Sequence, residues 1–346
     1  MQILFAKPIA FFSKMCYNKQ NFYFIAQKAQ KEDIMKKILS LVLVAVMLCL
    51  ALVGCGSGNK AYTLASGGTG GTYYAACVGL AGVYDTETNL KINVDVTGAS
   101  KANIQLVGNG QADFAIVQND VMEYAYTGTD LFAADGAITN FRTVAAVYAE
   151  VCQIVAGTNV ESVADLKGKV VSIGAAGSGV EFNAIQILEA YGLTRDDITV
   201  VNADFNGSAT KFKDGEIDAF FVVAGAPTTA ITDLSVNREF KLLEIDDAHY
   251  DILASKYGFY SKYPIVAGTY SNTEDIQTVA VKATFICRDD IPEDVVYEFT
   301  KALFEKKDAL IVAHNKFENV DLSYAQDDIG SVPFHDGALR YYNEVK

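Results

Sequence analysis

Two glycine-rich loops in matching settings constrain this chain more than any other feature. The first is Ser66-Gly-Gly-Thr-Gly-Gly-Thr72, and the second is Gly174-Ala-Ala-Gly-Ser-Gly179. Each loop follows a short apolar run and opens a helical pattern. A helix start presents unpaired backbone N–H groups and a partial positive charge, so it can hold a small anion without a basic side chain. Two such loops predict a cleft between two lobes.

The amino-terminal region predicts an exported protein. A basic patch begins at Met35, residues 38–52 are almost wholly apolar, and Leu52-Val53-Gly54-Cys55 closes the run, which is the order of a secretory signal over residues 35–55. The closing four residues resemble a bacterial lipobox, which implies a lipid on Cys55. The alternative is an uncleaved membrane anchor, although the apolar run is shorter than the roughly 20 residues that span a bilayer. Residues 1–34 are interpreted as an extension from an upstream start codon assigned in error.

The charge balance excludes nucleic acid as a partner. Residues 1–55 hold seven Lys and two Asp or Glu, so their removal leaves 21 basic and 40 acidic residues and a net charge near −19. Such a surface repels nucleic acid and anionic lipid headgroups. A pocket lined by amide donors can still bind an anion, because surface charge is screened within about 10 Å in ordinary salt.

Apolar runs of strand length alternate with helical patterns along the rest of the chain. The strand-length runs are Tyr62–Ala65, Ile92–Val96, Phe114–Gln118, Val144–Tyr148, Val151–Ala156, Val170–Ile173, Ile198–Val201, Ala219–Val223, Lys241–Ile245 and Val279–Cys287; the helical patterns include Tyr74–Tyr84, Ser100–Val107, Glu181–Tyr191 and Pro292–Lys306. This alternation predicts an α/β fold with a mostly parallel sheet, which binds ligands at the carboxyl ends of its strands.

A short internal echo and two polar loops support two similar lobes. Gly110-Gln-Ala-Asp113 and Gly215-Glu-Ile-Asp218 each end a helical pattern with glycine and place an aspartate at the entry to a strand. The loops that leave those strands contain Gln118-Asn119 and 224–229. Amide side chains both donate and accept, which suits a zwitterion or a keto acid. Ordinary turn chemistry and helix capping are the alternative.

Several motifs in order resemble one family of receptors. They are the lipobox, Gly70-Gly-Thr-Tyr-Tyr74, Ala112-Asp-Phe-Ala-Ile-Val-Gln-Asn119, Val163-Ala-Asp-Leu-Lys-Gly168, Gly177-Ser-Gly179, Gly225-Ala-Pro227 and Pro333-Phe-His-Asp-Gly-Ala-Leu-Arg-Tyr-Tyr342. Together they resemble the TAXI family, the extracytoplasmic solute receptors of TRAP-type secondary transporters. The resemblance implies a type II periplasmic-binding-protein fold: two α/β lobes with crossing hinge strands and a central cleft. Lobe 1 is then 56–149 plus 281–346, and lobe 2 is 150–280.

The same resemblance implies a set of ligand-binding residues. They are Ser66, Gly67, Gly68, Thr69, Gly70, Gly71, Thr72, Tyr73, Tyr74, Gln118, Asn119, Tyr148, Gly177, Ser178, Gly179, Glu181, Gly225, Ala226 and Pro227. Glu181 either accepts a ligand ammonium or caps its own helix. Tyr148-x-Glu150 either lines the hinge side of the cleft or stiffens the crossing strand. Lys101 and Arg142 are the basic candidates near the cleft, and either can simply lie on a solvated face.

The implied function is the capture of a small carboxylate solute of the glutamate, glutamine or 2-oxoacid class. The implied partners are TRAP membrane subunits and, through Cys55, the outer face of the bacterial cytoplasmic membrane; we expect a monomer with no cofactor and no metal. The same fold can instead feed an ATP-driven (ABC) importer or a membrane sensor, or the chain can be a surface lipoprotein without a ligand.

Catalysis is not expected. No nucleophile elbow, P-loop, metalloprotease helix or cysteine zinc pattern is present, and only three histidines occur. A pair of Ser178 and His335 lacks an orienting third residue, and His335 is expected to cap the final helix. Cys77, Cys152 and Cys287 are expected as buried free thiols, with a bridge between the last two as the alternative.

Overall fold

The computed structural model describes Lys31, Met35 and residues 60–346 except Ser271. The predictions for residues 1–34, the signal at 35–55 and the lipid on Cys55 therefore fall on residues outside the described chain, apart from Lys31 and Met35. None of the helices in the described part is long and apolar enough to cross a membrane.

The described chain alternates strands and helices. The strands are β1 (Ala61–Ala65), β2 (Lys91–Asp95), β3 (Phe114–Gln118), β4 (Phe141–Ala156), β5 (Val170–Ser172), β6 (Thr199–Val201), β7 (Ala219–Ala224), β8 (Lys241–Leu242), β9 (Ser261–Ile265) and β10 (Ile276–Arg288). The helices are α1 (Thr72–Glu87), α2 (Ser100–Gly108), α3 (Asn119–Thr127), α4 (Gly179–Ala190), α5 (Phe205–Lys213), α6 (Thr229–Ser235), α7 (Asp247–Lys256), α8 (Glu293–Glu305), α9 (Lys307–Ala313) and α10 (Asp336–Glu344), with short 3₁₀ turns at Asp130–Phe132, Val163–Leu166, Arg195–Asp197 and Asn315–Asn319.

One sheet connects two lobes through a pair of long strands. Its order is β2-β1-β3-β10-β4-β7-β5-β6, with β8 added to β4 and β9 added to β10. Pairing is parallel among β1, β2 and β3 and among β5, β6 and β7. The strands β10 and β4 pair antiparallel with each other, β10 also pairs antiparallel with β3, and β4 with β7. The long strands β4 and β10 therefore cross between the lobe built on β1–β3 and the lobe built on β5–β7. This is the expected two-lobed α/β fold with crossing hinge strands.

The crossing strand β4 differs from the sequence-based prediction. Two separate strands, Val144–Tyr148 and Val151–Ala156, were expected, and the structure has one strand, Phe141–Ala156. Ala149 and Glu150 continue the pairing with β10, so the polar residue does not end the strand. The expected lobe boundaries at 149/150 and 280/281 fall within these two strands, and they stay a prediction.

The repeated pattern at 110–113 and 215–218 has the same structure in the two lobes. The Asp113 carboxylate accepts the Thr63 N–H at 2.9 Å, and the Asp218 carboxylate accepts the Val170 N–H at 2.8 Å. In both lobes the glycine three residues before the aspartate has a positive φ, 72° and 76°, a conformation that glycine adopts without strain. Each aspartate thus fixes a β-strand to its parallel neighbour.

Alternating side chains along the strands place apolar cores on both faces of each half of the sheet. In β7, Phe221 and Val223 contribute to one core while Phe220 and Val222 contribute to the opposite one. The strands β1 and β3 alternate in the same way. Burying one phenylalanine stabilises the fold by about 1.5–3 kcal/mol, so these two-sided strands contribute strongly to the stability of each lobe.

The chain's last helix completes the first lobe, and the cysteines lie inside the fold. Tyr342 in α10 donates its hydroxyl hydrogen bond to the Val144 carbonyl at 2.7 Å. Cys77, Cys152 and Cys287 are buried free thiols, as expected, and the alternative bridge between Cys152 and Cys287 is not formed.

Candidate ligand-binding cleft

A small cavity lies between the two lobes, where the first glycine-rich loop faces the second. Its volume is about 40 Å³, and it adjoins a second space of about 160 Å³. The residues that line one or both are Gly67, Gly68, Gly70, Gly71, Thr72, Tyr73, Val96, Thr97, Gly98, Ala99, Ser100, Gln118, Glu150, Ala175, Ser178, Gly179, Val180, Asp204, Phe205, Val223 and Ala224. The two loops thus meet at one cleft, at the carboxyl ends of parallel strands.

The start of α1 is left open to the cavity. Its N-cap residue is Gly71, which has no side chain to accept from the first turn, and that turn contains no acidic residue. Helix geometry leaves the first-turn N–H groups without partners in the helix. The Thr72 hydroxyl donates instead to the Gly225 carbonyl of the opposite lobe at 3.0 Å. This helix start is therefore available to an anion.

The start of α4 is instead capped by its own residues. The Ser178 hydroxyl accepts the Glu181 N–H at 3.4 Å, and the Glu181 carboxylate accepts the Gly177 N–H at 2.7 Å. Arg195 donates to the same carboxylate at 2.8 Å. Of the two alternatives for Glu181, the structure shows the one in which it caps its own helix.

Three residues that line the cavity have a buried polar atom without a hydrogen-bond partner: Tyr73 Oη, Gln118 Oε1 and Glu150 Oε1. The Tyr148 Oη, which lies behind them, has none either. Burial raises the pKa of Glu150 well above its usual range, while the two nearby phenols and the Lys316 ammonium act in the opposite direction. An unpaired buried polar atom costs free energy, so these atoms mark a place where a ligand can satisfy them.

Glu150 is the residue that sequence reasoning left out of its binding set. It is 2% exposed and lies in the middle of the crossing strand β4. The sequence signal that could have identified Glu150 was an acidic residue inside an apolar run. A carboxyl group is almost never fully buried unless it is functional or has a partner.

The lobes also contact each other beside the cavity. Gln118 donates to Asn183 Oδ1 at 3.0 Å, and Asn183 donates to Asp120 at 2.8 Å and to the Tyr260 hydroxyl at 2.7 Å. Burial raises the pKa of Asp120 to about 7, although its bond from Asn183 acts against that shift. Phe182 packs on the first lobe next to this network.

Among the predicted binding residues, nine line the cavities: Gly67, Gly68, Gly70, Gly71, Thr72, Tyr73, Gln118, Ser178 and Gly179. Several others lie beside the cleft with their polar groups in use. Ser66 donates to the Asp95 carbonyl at 2.6 Å. The Asn119 side chain accepts the Lys282 N–H and donates to the Asp328 carbonyl. The carbonyls of Gly225 and Ala226 accept from Thr72 and Lys316.

The remaining predicted residues lie outside the cavity lining. Thr69 and Pro227 are exposed, Tyr74 and Gly177 are half-buried, and Tyr148 is fully buried behind Glu150 and Tyr73. The structure therefore brings the first loop and Gln118 together with the second loop, but it leaves the loop at 225–227 at the rim.

Lys101, Arg142 and His335 are not among the residues that line the two cavities. Lys101 pairs with Asp135 at 2.6 Å, and Arg142 donates to backbone carbonyls, at 2.8 Å to that of Phe141. His335 caps α10, as expected, by accepting the Gly337 N–H at 3.1 Å. Ser178 and His335 thus each cap a different helix.

Two lobes, crossing strands and a cavity between the lobes make up the fold of type II periplasmic-binding proteins. The chain belongs to the NMT1-like family, which matches residues 64–345. Solved structures share the fold at low identity. A Bordetella bronchiseptica RB50 protein is 15% identical over 83% of this chain and 80% of its own, with a TM-score of 0.50. A protein described as a periplasmic transporter is 14% identical over 84% and 94%, with a TM-score of 0.50.

Proposed function

We propose that this protein is an extracytoplasmic solute receptor that encloses a small carboxylate between its lobes and delivers it to a TRAP-type secondary transporter. A lipid on Cys55 holds it to the outer face of the cytoplasmic membrane. The observation that carries the proposal is the uncapped start of α1, which opens onto the cavity between the lobes. A carboxylate there satisfies the free N–H groups and meets the positive end of the helix.

The cleft geometry supports reversible capture. The opposing walls come from different lobes: Thr72 and Gln118 on one side, Gly179 and Val180 on the other. A ligand that contacts both walls favours the closed state over an open one. Closure in turn creates a surface that a membrane partner can distinguish from the open form.

The TRAP assignment is supported by the ordered motifs of residues 60–346 and the lipobox, which resemble the TAXI receptors. Uptake of the identified solute into proteoliposomes carrying TRAP membrane subunits tests it: transport driven by an ion gradient is expected, and a requirement for ATP contradicts it. Mass spectrometry of the exported protein tests the anchor, with a lipidated Cys55 as the first residue expected.

A carboxylate placed in the loop tests the site itself. The Cβ direction of Gly68 is open, since the nearest atom, an Asp204 carboxylate oxygen, is 4.0 Å away. Gly68→Asp puts a negative charge at the start of α1, so we expect it to abolish the thermal shift that small carboxylates produce. A true solute at 100 times its Kd stabilises by about 2.7 kcal/mol, which is readily measured.

The matched control is Gly68→Asn, which has the same size without the charge. It is expected to keep a measurable thermal shift. Equal loss in both variants would show that bulk rather than charge matters, and an unchanged shift in Gly68→Asp would remove the start of α1 from the site.

A further inference from the structure

We propose that the solute is an α-amino acid, with its carboxylate at the start of α1 and its ammonium group against Gln118 and Glu150. This inference rests on the proposed function and names the substrate class within it. It separates amino acids from the 2-oxoacids, which share the carboxylate but carry a carbonyl oxygen where the amino acid has its ammonium.

The hydrogen-bond network fixes the orientation of the Gln118 amide. Asn183 donates through its Nδ2 to both Asp120 and Tyr260, so its Oδ1 is an acceptor. Gln118 must therefore present its NH₂ group to that Oδ1, at 3.0 Å. As a result, the Gln118 Oε1 is an unsatisfied acceptor at the cavity.

The second acceptor is the Glu150 carboxyl, which lines the same cavity and is 2% exposed. Its Oε1 has no hydrogen-bond partner. The phenols of Tyr73 and Tyr148 lie next to it and favour its ionised form.

Two inward acceptors need a donor from the solute. An ammonium group supplies three N–H donors and a positive charge, which match an amide oxygen and a carboxylate. A 2-oxo oxygen supplies no donor, so it would leave the Gln118 Oε1 unsatisfied in a desolvated space. The part of the cavity lined by Gln118 and Glu150 is therefore complementary to an amino group.

Binding of the amino acid is linked to a proton. Burial raises the pKa of Glu150 well above its usual range, which favours the protonated carboxyl before an ammonium group is bound. A bound ammonium favours the ionised carboxylate, and the Glu150 proton is released to solvent. A 2-oxoacid provides no positive charge and gives no such release.

The experiment is isothermal titration of the mature protein with matched pairs: L-glutamate and 2-oxoglutarate, L-alanine and pyruvate, L-leucine and 4-methyl-2-oxopentanoate. Each titration is run at pH 7 in phosphate and in Tris, because their different ionisation enthalpies report the protons released. We expect one amino acid to bind at least about tenfold more tightly than its 2-oxo partner and to release up to about one proton.

Glu150→Gln tests the residue with little change in shape. It is expected to weaken amino-acid binding by about 10- to 100-fold, to abolish the proton release, and to leave any 2-oxoacid binding unweakened. Glu305→Gln, an exposed glutamate on α8, is the matched control and should behave as the wild type. If Glu150→Gln does not fold, the number of protons that the wild type releases on binding the amino acid tests the proposal.

The failures of the two proposals can be told apart. A 2-oxoacid that binds as tightly as its amino acid, or amino-acid binding without proton release, overturns the amino-acid assignment and leaves the carboxylate receptor standing. Binding of none of the six compounds, with no thermal shift from other small carboxylates, overturns both.

Discussion

At the scale of single residues, buried acids beside the cleft make stability depend on pH. Asp120 is fully buried, its Oδ1 has no partner, and its pKa is raised to about 7. Between about pH 4 and pH 7 the folded protein keeps a proton that the unfolded chain has lost. Because the folded state binds more protons, the free energy of unfolding falls as the pH rises through this window, and the loss is complete above pH 7.

Asp120→Asn removes this titration while keeping an oxygen for Asn183. The wild type should lose roughly 3 kcal/mol more stability than the variant between pH 5 and pH 8. Urea denaturation at the two pH values measures the difference. Asp233→Asn, an exposed acid on α6, is the control and should lose as much as the wild type. Parallel curves for wild type and Asp120→Asn would mean that Asp120 is ionised throughout.

At the scale of elements, the two helix starts that look alike in sequence have different roles. The start of α4 is closed by Ser178 and Glu181, whereas the start of α1 has a glycine at the N-cap. Of these two helix starts, the α1 start is the one left for an anion.

Ser178→Ala should therefore act mainly on stability. Loss of the cap is expected to lower the free energy of unfolding by about 0.5–1 kcal/mol, at the low end for N-caps because the bond from Glu181 is 3.4 Å long. Ser178→Gly should cost only a few tenths of a kcal/mol. Chemical denaturation measures both. A loss of solute binding in Ser178→Ala without any loss of stability would instead make the hydroxyl a ligand contact.

Features that depend on neighbouring residues in the sequence could be predicted, whereas features that depend on residues far apart in the chain could not. The glycine loops, β3 and the starts of α2 and α8 depend on local patterns, and they were predicted closely. The continuity of β4 through Glu150 was missed because its partner in β10, Val281, lies far along the chain. The orientation of Gln118 likewise depends on Asn183 and Tyr260, which reach it only through the tertiary fold.

At the scale of the whole molecule, α4 serves two surfaces. Ile187 packs into the core of its own lobe, while Phe182 reaches across to the first lobe. There Phe182 stacks on Tyr124 with ring centroids 5.8 Å apart and on Phe132 at 6.1 Å. Phe182 is 1% exposed, so separating the lobes at this contact would expose it to water.

Phe182→Ala should shift the balance towards the open form. Removing that burial takes about 1.5–3 kcal/mol from the closed state, so we expect a larger radius of gyration without ligand and solute binding weakened by about tenfold or more. Small-angle scattering and titration measure the two effects. Ile187→Ala on the same helix is the control: it should lower the melting temperature without changing the radius of gyration. If Phe182→Ala also lowers only the melting temperature, the aromatic contact belongs to a fixed interface, and closure depends on the solute contacts and on the bond from Thr72 to Gly225.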